Sequence, residues 1–357
     1  MNLPEQMSGM VLTGHGGLDR LVWRDDLPTP VAGSGEVLVK VHASSVNNTD
    51  INTRTAWYSK SVRGDTASGA RDGNANVDAS DGSWSGKPLD FPLIQGADCC
   101  GEIVAVGADV DVERIGERVL VRALQSAEMP DGSFQTITFG SEHDGGFAQY
   151  AKARSYDALQ VNSAWSATEL ASIPCAYSTA EGMLQRASVQ AERVLITGAS
   201  GGVGSAAVQL AKRRGAHITA MTSRDKADAV RAIGADEIVG RDDALGVNAF
   251  DAVVDLVAGP RWPEMIAALR HRGRYVTAGA IAGPIVELDV RDLYLRDLTF
   301  YGSTYQPDNI LPDVIGYIER GELRPLIAEE FALEDLAAAQ EAFISKSHIG
   351  KIALRVA

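Results

Sequence analysis

Residues 194–212 read "VLITGASGGVGSAAVQLAK". An apolar run, Val194 to Ile196, breaks at Gly198, and an alanine-rich stretch of helical character opens after Gly201, Gly202 and Gly204. Glycines at such a turn let the backbone approach a pyrophosphate closely, while the N–H groups and positive dipole end of the helix favour the anion. Ala199 stands in the first glycine's place, so the G-x-G-x-x-G pattern is incomplete. Its context is what strengthens it: a strand before, a helix after and a second strand at the right distance. Dinucleotide binding is therefore expected at Ala199, Gly201, Gly202, Val203 and Gly204, with a purely structural glycine turn as the bland alternative.

Outward from this turn, apolar runs alternate with helical stretches: "HITAMTS", "KADAVRAIG", "DEIVG", "FDAVVDLVAG", "WPEMIAALRH", "GRYVTAGA" and "LTFYGST". Gly-bounded runs with helices between them predict a doubly wound parallel sheet buried on both faces. After Tyr305 come a helix-like "DNILPDVIGYIERG", a strand-like "IAEEFA", an amphipathic "EDLAAAQEAFISK" and a last apolar run "KIALRV". At the tip of the second strand an NAD site would carry a carboxylate for the ribose hydroxyls, yet here Thr222, Ser223 and Arg224 are followed by Lys226. Ser223 with two cations suits the extra phosphate of NADPH. Asp225 lies between those cations and weakens the reading; an ordinary helix cap with a solvated basic turn is the alternative.

Residues 1–125 instead carry short apolar runs divided by Gly, Pro and Asp, such as "VLVKVHAS", "GEIVAVGADV" and "GERVLVRAL", which predict a compact, mainly β unit. From Ser61 to Pro92 the chain is poor in apolar residues and rich in Gly, Asp, Ser and Asn. A long loop is expected there, either a solvated insertion or, with Trp84 and Phe91, a lid or pocket wall.

A chain of 357 residues is long enough for two domains, each with its own core. Its net charge of −14 repels phosphate backbones and anionic lipid, which argues against nucleic acid or a membrane surface as partner. Three cysteines, two of them adjacent at Cys99 and Cys100, make neither a disulfide framework nor a metal pair. With no signal-like N-terminus and no long apolar span, a cytoplasmic setting is expected.

The pieces "GEVLVKVHASSVNNTD", "GADCCGEIVAVG", "GGFAQYAKA", "IPCAYSTA", "VLITGASGGVG", "GRYVTAG" and "GKIALRV" together resemble the medium-chain dehydrogenase/reductase superfamily, and within it the zinc-free, quinone-oxidoreductase-like branch. The resemblance implies an α/β protein with a GroES-like, mainly β catalytic domain (1–160 and 305–357) and a Rossmann dinucleotide-binding domain (161–304). It also implies a homodimer joined through edge strands, with "LTFYGST" as the edge, and adds Thr179 and Gly279 to the cofactor site. The alternative for Thr179 is an N-capping hydroxyl.

Zinc alcohol dehydrogenases of this superfamily carry a C-x-[ST]-D element at the strand exit, a G-H-E element later and a third ligand cysteine. Here Asn47 replaces the first cysteine, Ala97 and Asp98 replace His and Glu, and only Cys175 matches a ligand position. A catalytic zinc needs about three protein ligands, so no metal is expected.

Without a Lewis acid, conjugate reduction is favoured over alcohol oxidation, because it needs only a placed hydride, donors to the acceptor's oxygen and a proton. The spacing Asn47, Asp50, Arg54, Tyr58 resembles the corresponding element of quinone reductases. It implies that Asn47 donates near the nicotinamide and substrate oxygen, and that Tyr58 donates to a developing oxyanion or supplies a proton. Asp50 is grouped with them, though Asp50 and Arg54 suit an ion pair or hydrogen bonds to the loop better than reaction. Thr49 matches the proton-relaying hydroxyl of the zinc enzymes. The expectation is an NADPH-dependent reductase of a quinone or α,β-unsaturated carbonyl. A zinc-independent alcohol dehydrogenase and a non-catalytic, crystallin-like NADPH-binding protein are the alternatives.

Overall fold

In the computed structural model, which describes residues 3–75, 77–128 and 131–356, the chain divides into two compact units. The first comprises Met1–Val62, Ser68–Cys175 and Leu311–Ala357; the second comprises Arg63–Ala67 and Ala176–Ile310.

The backbone of the first unit is the strand Glu36–Ser45, whose alternate residues Val37, Val39 and Val41 enter a core with Ile103, Val119 and Val121. Beta-branched residues at period two suit a pleated, half-buried surface, which is why this stretch pairs rather than coils. It pairs antiparallel with Cys100–Val106, with Tyr150–Arg154 and, through its last residues, with Lys351–Arg355. Lys351–Arg355 in turn runs parallel to Ile327–Ala332, so the C-terminal segment completes this sheet. Residues 161–175, expected in the second domain, group with the first unit because the helix Ala167–Ala171 packs on Glu36–Ser45 and Cys100–Val106. A hairpin of Leu124–Glu128 and Phe134–Thr138 occupies the 124–146 region.

The second unit is built on a six-stranded, all-parallel sheet in the spatial order Glu237–Val239, His217–Met221, Arg193–Ile196, Phe250–Asp255, Leu269–Thr277, Thr299–Gly302. The central strands are buried along their length, as a sheet covered on both faces requires. The order reverses between Arg193–Ile196 and Phe250–Asp255, the place where such sheets open a ligand crevice. The apolar run "WPEMIAALRH" divides here: its helix ends at Ala268, and Leu269 already begins the next strand. Residues 305–310 belong to this unit, where Arg186 donates to the Tyr305 carbonyl at 2.9 Å. So do residues 63–67 of the polar loop, with the Thr66 N–H donating to the Ile281 carbonyl at 3.0 Å.

Candidate active site

The glycine-rich turn is a cradle that side chains cannot fill. Helix Gly202–Arg213 starts behind Gly201 with no side-chain cap, leaving its first-turn N–H groups for an anion. A Cβ on Gly204 would lie 2.1 Å from the Gly198 carbonyl oxygen, and Gly198 itself has φ +58. Only glycine fits both demands. Ala199 is buried, and its N–H donates to the Met221 carbonyl at 3.2 Å, fastening the turn to the neighbouring strand. Gly279 lies against Leu256, whose carbonyl would be 2.9 Å from an added Cβ. Thr179 is half-buried in helix Ala176–Arg186.

Asp255 holds this crevice together, and nothing local in the sequence marks it. Its buried carboxylate accepts from Thr197 Oγ1 at 2.5 Å, Tyr275 Oη at 2.5 Å and the N–H groups of Val257 at 2.9 Å and Ala258 at 3.0 Å. Thr197 accepts in turn from the Leu256 N–H at 2.9 Å, so the loops leaving both central strands are tied at the reversal point. Burial first, and then the Asp255 charge, push the Tyr275 phenol well up.

At the second strand's tip, Ser223 leads into the turn Arg224–Lys226. Arg224 is exposed and pairs with Asp243 at 2.9 Å, while Lys226 is buried, which lowers its ammonium pKa against the opposing pull of Asp225. Arg241 acts on the same lysine as a like charge and was not foreseen. Three cations and two carboxylates therefore share this corner.

In the first unit, the residues at the strand exit form a buried network. Asp98 accepts from Asn47 Nδ2 at 2.7 Å, Lys351 Nζ at 2.9 Å, Ser45 Oγ and, through its other oxygen, the Cys175 N–H at 2.7 Å. Asn47 Oδ1 accepts from Lys351, and its Nδ2 also donates to the Ser45 carbonyl at 3.3 Å. Both amide hydrogens of Asn47 are engaged inside the protein, which revises the expectation that it donates to a substrate oxygen. Lys351 does not stand out in the sequence and Asp98 does so only as a replaced ligand position, because the two meet only when the last strand pairs with Glu36–Ser45.

Asp50 also faces inward: one oxygen accepts the Asn47 N–H at 2.8 Å, the other the Ala97 N–H at 3.1 Å. Burial, with the nearby Asp98 charge adding to it, pushes its pKa up to about 7 against those two hydrogen bonds. Asp50 and Arg54 do not pair. Arg54 is buried and donates to Gln340 Oε1 at 3.0 Å and the carbonyls of Gly16 at 2.8 Å and Ala70 at 2.5 Å, so both residues bind loops.

Tyr58 comes to Thr49 instead. Its hydroxyl donates to Thr49 Oγ1 at 3.1 Å, and the same oxygen accepts from Trp84 Nε1 at 2.7 Å. The rings of Tyr58 and Trp84 meet edge to face at 5.4 Å. Burial pushes the Tyr58 phenol well above its ordinary value, so it stays a protonated donor. Cys175 is likewise pushed up, first by burial and then by Asp98, which makes it a poor nucleophile. Among the described residues, no group of three or more His, Cys, Asp or Glu is placed to hold a metal ion, and no helix is long and apolar enough to cross a membrane.

Comparison with known proteins agrees with this layout. Residues 33–163 match the alcohol dehydrogenase GroES-like domain, and residues 202–320 match the zinc-binding dehydrogenase family. The chain is 25% identical over 350 residues to acryloyl-coenzyme A reductase of Sulfurisphaera tokodaii, covering 93% of this chain and 95% of that one. It is 27% identical over 350 residues to quinone oxidoreductase of Homo sapiens, covering 93% and 92%. A crystal structure from Sinorhizobium meliloti 1021, provisionally named an alcohol dehydrogenase, superposes with a TM-score of 0.85 at 38% identity, covering 99% of this chain and 98% of that one. With matches in both units and similarity along its whole length, the chain belongs to the medium-chain dehydrogenase/reductase superfamily and is an oxidoreductase of that family.

Proposed function

We propose that the protein is an NADPH-dependent, metal-free reductase that transfers hydride to an electron-poor acceptor, a quinone or an α,β-unsaturated carbonyl. The carrying observation is the Lys351–Asp98–Asn47 network, which sits where the resemblance would place metal ligands. The Lys351 ammonium beside Cys175 and Asn47 opposes a second cation there, and Asn47 already uses its amide. The names of the acryloyl-coenzyme A and quinone reductases support the choice of acceptor.

When bound, NADPH supplies the hydride. The uncapped N–H groups after Gly201 suit its pyrophosphate, and Ser223, Arg224, Lys226 and Arg241 suit its extra phosphate. Hydride addition drives electrons onto the acceptor's oxygen, where a neutral donor lowers the barrier. Thr49 is the hydroxyl left for that task, with the Tyr58 hydroxyl donating to it. A homodimer through the edge strand Thr299–Gly302 is part of the proposal, supported by the exposed apolar Val290, Tyr294 and Leu295 just before it. So is a reducing, cytoplasmic setting, supported by the free cysteines Cys99, Cys100 and Cys175.

The test is NADPH oxidation against benzoquinones, enals and an enoyl thioester, with elemental analysis of chelator-free protein. Turnover with well under one zinc per chain is expected. Stoichiometric zinc, or NADPH binding with no turnover of any acceptor, would overturn it. The provisional name of the Sinorhizobium protein favours a second reading, alcohol oxidation with Thr49 and Tyr58 relaying the proton. Turnover of an alcohol panel with NADP⁺ and silence toward enones would select it.

A further inference from the structure

Trp84 lies in the polar Ser61–Pro92 loop, yet it is only half-exposed and its indole N–H reaches Thr49 Oγ1 at 2.7 Å. The loop around it is anchored. Ser83 is buried and donates to the Lys87 carbonyl at 2.7 Å, and the Ser85 N–H donates to Glu142 at 3.1 Å. The Lys60 N–H donates to Asp81 at 3.0 Å, Asn74 to the Thr55 carbonyl at 3.0 Å, and Arg54 holds Ala70. Trp84 is thus preordered against helix Asn48–Arg54.

A threonine hydroxyl oxygen has two lone pairs and one hydrogen. Trp84 Nε1 and Tyr58 Oη, at 2.7 and 3.1 Å, take both lone pairs. Thr49 is then left with one option, to donate. Two donors on one oxygen also polarise its O–H bond and strengthen the hydrogen bond it gives.

We infer that Trp84 is a positioning residue: it orients the Thr49 hydroxyl as the donor to the acceptor's carbonyl oxygen. The inference rests on the reductase reading. Trp84 touches no reacting atom in this scheme and acts only through Thr49, so its effect must vanish when Thr49 has no hydroxyl.

A double-mutant cycle of Trp84→Phe and Thr49→Val reads that dependence. In the parent background, Trp84→Phe is expected to lower kcat roughly tenfold to a hundredfold, with KM for NADPH within about twofold, since a misplaced donor costs rate rather than cofactor affinity. In the Thr49→Val background the same change should alter kcat by less than about twofold. Parent-like kcat for Trp84→Phe, or an equal loss in both backgrounds, would overturn the inference, because Trp84 would then be inert or act by packing alone. Should Trp84→Phe not fold, 3-benzothienylalanine at position 84 keeps the shape and removes only the N–H. If the parent reduces no quinone or enone but oxidises alcohols, the proposed function fails, and the cycle measured on the alcohol decides this inference separately. A parent inactive in both directions overturns both.

Discussion

Lys351 and Asp98, 253 residues apart in the chain, form an ion pair at 2.9 Å with both side chains buried. Such a pair is costly to desolvate, so it persists only where further hydrogen bonds complete it. Here Asn47, Ser45 and the Cys175 N–H do so. The network therefore locks the chain's last strand, Lys351–Arg355, to the strand Glu36–Ser45.

Lys351→Met is expected to destabilise the protein by about 3–5 kcal/mol, because it leaves Asp98 buried and uncompensated. Adding Asp98→Asn should recover part of that loss by removing the stranded charge. Urea unfolding of the single and double variants measures both. A Lys351→Met protein as stable as the parent would show that the pair carries no structural weight.

Asp50 provides a pH dependence with a definite sign. Its folded pKa of about 7 lies above the ordinary value of 3.8, so the folded state holds the proton more tightly than the unfolded chain does. Its contribution to stability is fully present below about pH 4 and is lost as pH rises through about 7. The melting temperature of Asp50→Asn minus that of the parent should therefore become more positive between pH 5 and 8. A difference that stays flat across that range would contradict a raised Asp50 pKa.

For the cofactor corner, Arg224→Ala with Lys226→Ala should weaken NADPH far more than NADH, each charged contact contributing roughly 1.5–3 kcal/mol. The Arg224–Asp243 pair at 2.9 Å competes for one of these cations, so Asp243→Asn should tighten NADPH modestly. Gly204→Ala behaves differently, because its Cβ would overlap the Gly198 carbonyl and disrupt the turn that both cofactors share. Fluorescence titrations with both nucleotides separate the two effects; equal weakening of both by the arginine and lysine changes would count against phosphate reading.

The thiols should be slow. Burial raises Cys99 and Cys175 well above the usual thiol value and Cys100 to about 12, so little thiolate exists near neutrality. Titration with a disulfide reagent at pH 7.5 should find less than one reactive group per native chain within minutes, and all three after unfolding. Rapid labelling of native Cys175 would place it in a more open environment than the one described.

Much of the second unit was legible in the chain because its signals are local. The turn at Gly198, Gly201 and Gly204 is specified by residues within one strand and one helix, where steric need for glycine shows directly as glycine. The apolar runs likewise fall on parallel strands, since a sheet covered on both faces requires them along its whole length. The strand exit was half legible: the residue types at Asn47, Thr49, Asp50 and Tyr58 announced a polar cluster, and Asp50 with Arg54 was open to a loop-binding role that the structure adopts. What each group does was decided by partners far away in sequence. Asn47 is taken by Asp98 and Lys351, 51 and 304 residues off. Thr49 is oriented by Trp84 from a loop whose composition looks like solvated linker. A hydrogen bond depends on the direction of a specific donor within a few tenths of an ångström, and that direction exists only once the sheet has closed and the loop has been pinned. The local pattern thus determined which groups gather at the site, and the tertiary structure decided which of them still has a hydrogen to give.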